Sequence, residues 1–315
     1  MPSLRITPIR RPLNVTVRVP GSKSLTNRAL LVSALADGTT RLTNALFSDD
    51  SRYFANALQT LGFDVQLDEP NREMTVTGLG GRIPAAKAEL FIGNAGTAAR
   101  FLSAFLTLGY GDYILDGDPR MRQRPIGDLV EALKQLGATV ATVEGRPQTV
   151  LSSAVHGPRS KIYLPIKIHA SGLPGGKTPI AGDISSQFLS ALLMVAPYAQ
   201  SPVEIELTTD LNSKPYVDMT LAVMRDFGVE IERRGCEQFT LHPSTYLPIT
   251  NYSIECDASA ASYFFAAPAI CGGTVRVENI SRNSVQGDIK FLDVLVQMGC
   301  TVQETDNCIL VTGHS

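Results

Sequence analysis

Cysteine is missing from the first 235 residues, and the five that follow (Cys236, Cys256, Cys271, Cys300, Cys308) contain no CxxC pair. That excludes a zinc ribbon or a disulfide framework and predicts reduced thiols. Histidine is as sparse: His156, His169, His242 and His314 are scattered with no ligand spacing, so no metal site is expected. There is no basic excess either, since 28 Lys and Arg against 30 Asp and Glu leave a formal charge of −2. Non-specific binding to nucleic acid or to an anionic membrane is thereby excluded, and any anionic substrate must be met by locally placed cations. No apolar run reaches the ~18 residues a membrane helix needs. The opening MPSLRITPIRRPLNVTVRVP carries Arg5, Arg10 and Arg11 but not the apolar core of a signal peptide, and its alternation reads as a strand. The cytoplasm is the expected compartment. No G-x-G-x-x-G follows the first strand, which argues against a Rossmann oxidoreductase. Gly175-Gly176-Lys177-Thr178 looks like a nucleotide-binding loop, but Ser171 stands where its first glycine should be and Pro179 interrupts the helix that should follow.

What the chain does have is core material and a repeat. Its 315 residues are 44% hydrophobic and 18% charged, enough for about two domains at ~150 residues each. One helix ending occurs four times: Leu58-x-x-Leu61-Gly62-x-x-Val65, Leu133-x-x-Leu136-Gly137-x-x-Val140, Met224-x-x-Phe227-Gly228-x-x-Ile231 and Leu295-x-x-Met298-Gly299-x-x-Val302. Each predicts a helix, a left-handed glycine stop and a strand. Between these endings, small polar residues open a second set of helices at 24–27, 94–97, 185–187 and 257–262. A single such cluster is only a cap. Four in phase predict helix N-termini turned toward one cleft, where free N–H groups attract phosphates, each helix contributing ~0.3–1 kcal/mol.

Five segments carry the candidate chemistry. Pro20-Gly21-Ser22-Lys23-Ser24-Leu25-Thr26-Asn27-Arg28 precedes an apolar helix expected over 29–36, and places Lys23 and Arg28 where both can reach a ligand, although solvated surface cations are the commoner outcome. Gly93-Asn94-Ala95-Gly96-Thr97-Ala98-Ala99-Arg100 leaves room for backbone N–H groups to approach a ligand, or is merely a tight turn. Gly117-Asp118-Pro119-Arg120-Met121-Arg122-Gln123-Arg124-Pro125 sets three arginines in a loop bounded by prolines, with forks that match carboxylate and phosphate oxygens. Ile184-Ser185-Ser186-Gln187-Phe188-Leu189 and Asn212-Ser213-Lys214-Pro215-Tyr216 offer hydroxyls, an amide and a phenol suited to a polyhydroxylated, phosphorylated ring, or simply to capping.

In this order, and with Asp257 to Tyr263, Gly272 to Val277 and Arg282 to Asp288, these segments resemble the 5-enolpyruvylshikimate-3-phosphate synthase family of enolpyruvyl transferases through essentially the whole chain. The resemblance implies an α/β (α+β) protein of the inside-out α/β barrel type, built from βαβαββ repeats in two similar domains. It implies a transferase that moves the enolpyruvyl group of phosphoenolpyruvate to the 5-hydroxyl of shikimate-3-phosphate and releases phosphate, on the route to chorismate and the aromatic amino acids. No cofactor is needed. Carried over by position, Lys23, Ser24, Arg28, Ser185, Ser186, Gln187, Ser213 and Tyr216 would contact shikimate-3-phosphate. Lys23, Asn94, Gly96, Arg124 and Gln187 would bind phosphoenolpyruvate, with Lys23 as the proton carrier. Gly96 resembles the class inhibited by glyphosate, and a monomer is implied.

In the family the chain continues past the segment matching 308–315. The expectation is therefore a complete three-repeat domain over 21–254 that binds shikimate-3-phosphate. Residues 1–20 and 255–315 would form an incomplete second domain, lacking the aspartate assigned as base for the ring hydroxyl. Two readings stand beside the transferase: a chain that binds shikimate-3-phosphate without turnover, and the UDP-N-acetylglucosamine enolpyruvyl transferase. The second is opposed by the absence of any cysteine before Cys236 and by the Ser22 to Arg28 opening.

Overall fold

The computed structural model describes residues 8–9, 11–143, 162–305 and 307–313; Arg5, Arg10, His156 and His314 lie outside them. In chain order the elements begin with β1 (Leu13–Val17), α1 (Lys23–Leu35), β2 (Asp37–Thr43), α2 (Asp49–Thr60), β3 (Asp64–Asp68) and β4 (Glu73–Leu79). They continue with β5 (Lys87–Phe91), α3 (Gly96–Phe105), β6 (Tyr110–Asp116), α4 (Gly127–Gln135), β7 (Thr139–Thr142) and β8 (Ile166–Ser171). Next come β9 (Gly176–Ile180), α5 (Ser186–Val195), β10 (Val203–Leu207), α6 (Lys214–Asp226), β11 (Glu232–Arg234) and β12 (Gln238–Leu241). The last are β13 (Asn251–Ser253), α7 (Ala258–Cys271), β14 (Gly273–Glu278), α8 (Phe291–Gln297), β15 (Thr301–Thr305) and β16 (Cys308–Gly313).

The strands form four sheets of four, β1-β14-β16-β15, β13-β2-β4-β3, β5-β6-β8-β7 and β9-β10-β12-β11, one per repeat. In each, the first pair is parallel and the next two pairings are antiparallel. A parallel pair needs a crossover, which a helix supplies, while the antiparallel strands need only short turns. The result is βαβαββ. Two repeats take their first strand from elsewhere in the chain: β13 pairs with β2, and β1 pairs with β14. The chain divides into two compact units, 1–22 with 254–315, and 23–253.

All four helix endings close in the same way. Gly62, Gly137, Gly228 and Gly299 have φ of 93°, 94°, 85° and 93°. The next residue's N–H then reaches back five residues, Phe63 to Leu58, Ala138 to Leu133, Val229 to Met224 and Cys300 to Leu295, at 2.9–3.0 Å. This is the Schellman closure, which satisfies carbonyls the helix would otherwise leave open.

Within 23–253 the burial pattern puts helices inside and sheets outside. Every residue of α3 is buried, and so is every residue of α5 except Gln187 and of α1 from Leu25 onward. A helix apolar on all sides belongs in the middle. By contrast α2, α4 and α6 bury one face each. In the other unit α7 is as apolar as the central helices, yet only Ala258, Ala261, Phe265 and Pro268 are buried. Tyr263 and Ile270 are 80% and 81% exposed.

Candidate functional site

The helix predicted over 29–36 begins at Lys23, so most of its motif lies inside the helix. Lys23 and Arg28 are five residues apart, roughly 140° around the axis, and they face different ways. Lys23 is exposed at the first helical position, whereas Arg28 is only 2% exposed. The Arg28 guanidinium donates to Thr220 Oγ1 at 2.8 Å, Ser190 Oγ at 3.2 Å, the Tyr216 carbonyl at 3.0 Å and the Ser24 carbonyl at 3.1 Å. It also lies 5.5 Å from the centroid of the Phe101 ring. Arg28 thus ties the first turns of α1 and α6 to the second turn of α5. Burial lowers its pKa to about 10, which leaves it charged at neutral pH.

Ser185 caps α5, its Oγ accepting from Gln187 N at 3.3 Å, and Ser186 is buried at the first helical position. The Gln187 amide donates to Thr97 Oγ1 at 3.3 Å, linking the starts of α5 and α3. Ser213 caps α6 with φ 57°, a left-handed conformation that is uncommon for serine, and its carbonyl accepts from Tyr216 N at 3.0 Å. The loop before it is stitched to the start of α5: Asn212 N donates to the Gly182 carbonyl at 3.0 Å, and Thr209 Oγ1 accepts from Gly182 N at 2.9 Å. Tyr216 is 38% exposed.

The three arginines of the 117–125 loop have different fates. Arg122 forms a bidentate pair with Asp116, at 2.9 and 2.6 Å. Arg120 lies on the 119–120 turn. Arg124 reaches back to the Asn94 carbonyl at 3.3 Å, and its guanidinium covers Gly96, where a Cβ would stand 2.5 Å from Cζ. Behind it the buried Arg100 donates to the Pro125 carbonyl at 2.7 Å and the Gly96 carbonyl at 3.0 Å, fixing the loop to the start of α3. Burial, with the nearby Arg124 charge adding, lowers the Arg100 pKa to about 9. The sequence does not mark Thr97, Arg100, Ser190 or Thr220 individually. Thr97 and Arg100 belong to the 93–100 segment, but Ser190 and Thr220 meet Arg28 across 162 and 192 residues, which leaves no local signal of that contact.

The starts of α1, α3, α5 and α6 are thus gathered at one end of the 23–253 unit, bearing cations, hydroxyls and an amide. Free helix N–H groups and fixed cations at one place bind anions. The nucleotide-loop lookalike is part of strand β9. Among the described residues there is no group of three or more His, Cys, Asp or Glu that could hold a metal ion, and no helix long and apolar enough to cross a membrane.

The sequence profile of the family described as EPSP synthase (3-phosphoshikimate 1-carboxyvinyltransferase) matches residues 8–315. The chain belongs to the EPSP synthase family. It is 48% identical over 314 residues to the 3-phosphoshikimate 1-carboxyvinyltransferase of Sulfurovum sp. (strain NBC37-1), covering 99% of this chain and 70% of that one. It is 46% identical over 313 residues to that of Nostoc punctiforme, again covering 99% and 70%. Its fold is that of the EPSP synthase structure from Acinetobacter baumannii, with a TM-score of 0.79 at 24% identity, covering 96% of this chain and 65% of that one. The chain therefore spans just under two thirds of that solved structure and 70% of the curated relatives. The EPSP synthase family is one of transferases, and its inside-out α/β architecture is the one described above.

Proposed function

We propose that the gathered helix starts form the shikimate-3-phosphate and phosphoenolpyruvate site of an enolpyruvyl transfer. Residues 21–254 are the binding domain, and 1–20 with 255–315 belong to the second. Lys23, Ser24, Ser185, Ser186, Gln187, Ser213 and Tyr216 hold shikimate-3-phosphate. Lys23, Asn94, Gly96, Arg124 and Gln187 hold phosphoenolpyruvate. Arg28, assigned to shikimate-3-phosphate with them, directs four of its five N–H donors to Thr220, Ser190, Tyr216 and Ser24 and so also fixes Tyr216 beside that ligand.

One observation carries the reading: Gln187 tethered to Thr97, and Arg124 seated on Gly96, set an amide and a cation over two adjacent helix starts. Two phosphates and two carboxylates must come together in this reaction, and each charged hydrogen bond offsets their repulsion by roughly 1.5–3 kcal/mol. The ring 5-hydroxyl passes its proton to a base outside the residues named above as its oxygen adds to carbon 2 of phosphoenolpyruvate, and the methylene carbon takes a proton. Phosphate then leaves carbon 2 as the methyl carbon gives a proton back, with Lys23 as carrier. Glyphosate would compete with phosphoenolpyruvate at Gly96 and Arg124. A cytoplasmic compartment fits the five free cysteines, and the family resemblance implies a monomer.

Binding without turnover is the second reading, favoured by the absence of a carboxylate from the candidate set: nothing there takes the proton of the ring hydroxyl. Calorimetric titration with shikimate-3-phosphate, followed by phosphate release on adding phosphoenolpyruvate, separates the two. Binding with release supports transfer, binding alone supports the second reading, and no binding to the folded chain overturns the site.

A further inference from the structure

At the other end of the same unit lies a cavity of about 630 Å³. Its lining includes Leu108 and Tyr198, on 3₁₀ turns (Leu106–Leu108 and Ala196–Tyr198) that continue α3 and α5 past their C-terminal ends. Since α3 has ten residues and is about 15 Å long, the cavity is separated from Gly96 by at least the length of that helix. Its volume is ordinary for a small-molecule site, ~300–1,000 Å³.

The lining is of mixed chemistry. Leu79, Ile83, Leu108 and Leu173 make an aliphatic wall, and the rings of Tyr110 and Tyr198 face into the same space. Two glycines admit the aromatic side. A Cβ at Gly81 would stand 2.8 Å from Tyr198 Cε1, and one at Gly172 would stand 3.0 Å from the Tyr110 hydroxyl and 2.7 Å from Gln200 Nε2. Both glycines have φ of 81°, so side chains are disfavoured there twice over.

Polar capacity within the cavity is unevenly spent. The Tyr198 hydroxyl donates to the Leu35 carbonyl at 2.5 Å and accepts from Tyr246 N at 3.1 Å. The backbone carbonyls of Leu79, Gly109 and Leu173 accept from Arg82 N, Gly172 N and Gln200 N. The side chains of Arg82, Tyr110 and Gln200, in contrast, make no hydrogen bond or ion pair to a described residue. Tyr110 is 69% exposed. Among the described lining residues Arg82 alone is charged, and Asp37 stands behind Gly80, outside the lining.

We propose that this cavity is a second binding site, for a flat aromatic carboxylate. A sugar phosphate would leave the aliphatic wall wet, and a plain hydrocarbon would leave three polar side chains unanswered. A ring packed between Tyr110 and the leucines, with its carboxylate in the Arg82 fork, satisfies both.

The test uses 2-naphthoate, followed by its own fluorescence, which is readable because the chain has no tryptophan. Titrated into the full chain, it should bind saturably at one site, weaken about tenfold in Arg82→Gln, and weaken again in Tyr110→Ala. Neutral 2-naphthalenemethanol should not distinguish Arg82→Gln from the parent. Arg82 and Tyr110 are exposed, so both variants fold, and shikimate-3-phosphate binding should be unchanged in them. Three results would overturn the proposal: no saturable binding, equal affinity in parent and variants, or displacement of naphthoate by shikimate-3-phosphate. The first two have no bearing on whether the helix starts bind substrate, and the third would place naphthoate in the substrate's own site.

Discussion

The guanidinium of Arg124 occupies the space a side chain at position 96 would need. A Cβ on Gly96 would meet Cζ at 2.5 Å, and Arg124 is held there by the Asn94 carbonyl at 3.3 Å. A flexible side chain yields more cheaply than backbone, so Gly96→Ala should push Arg124 away and leave the fold intact. Phosphoenolpyruvate affinity should then fall about tenfold or more, with shikimate-3-phosphate affinity kept. Unchanged phosphoenolpyruvate affinity, measured by titration against the shikimate-3-phosphate complex, would sink the assignment of Arg124.

Thr220 is the hub under Tyr216. Its hydroxyl accepts from Arg28 Nε at 2.8 Å and lies 2.8 Å from Ser190 Oγ and 2.9 Å from the Tyr216 carbonyl. Thr220→Val leaves the buried Nε without an acceptor, at a cost of about 1–3 kcal/mol. Thr220→Ser should restore stability in a denaturant melt. If the valine variant melts like the parent, the network is not what holds the helix starts together.

The four glycine stops supply an internal comparison. Gly228→Ala meets only the Leu247 side chain at 3.1 Å, while Gly137→Ala meets the Pro174 ring at 2.6 Å. Both lose the left-handed glycine advantage, about 1 kcal/mol, but Gly137→Ala adds a collision that a proline ring cannot easily relieve. Gly137→Ala should therefore be the more destabilising in urea unfolding, and the reverse order would count against the packing argument.

Burial raises the Tyr198 pKa from its ordinary value of 10.0 to about 12. The unfolded chain then loses this proton first, so the stability it contributes is full below pH 10 and declines as pH rises toward 12. In Tyr198→Phe the melting temperature should fall less steeply over that window. Comparing the two proteins cancels the other groups that titrate there, and parallel curves would show that Tyr198 is not the group responsible.

The uncovered face of α7 should bind an apolar dye. Tyr263 and Ile270 are four-fifths exposed on a helix with no charged residue to keep it wetted. Tyr263→Lys with Ile270→Lys should cut anilinonaphthalene sulfonate fluorescence and slow aggregation, while shikimate-3-phosphate binding, proposed for the other unit, should stay the same. Undiminished dye binding would locate the exposed apolar surface elsewhere.

What the sequence determined by itself was local. The four glycine stops close their helices through bonds within six residues, and Ser185 and Asp257 cap helices through neighbours two and three positions on, so the repeat could be read from spacing alone. The family resemblance likewise followed from short motifs in a fixed order. What only the tertiary structure decided depends on partners far apart in the chain. Arg122 is spent on Asp116 while Arg124 turns to Gly96, although both stand in one loop with nothing local to tell them apart. Arg28 turns inward because Ser190 and Thr220, both from one other repeat, supply acceptors that offset the cost of burying a guanidinium. The first strands of two repeats are exchanged along the chain because a parallel pairing fixes geometry but not sequence distance. Helix caps are short-range electrostatics and are written in consecutive residues; a buried charge network exists only once the chain has brought its members together.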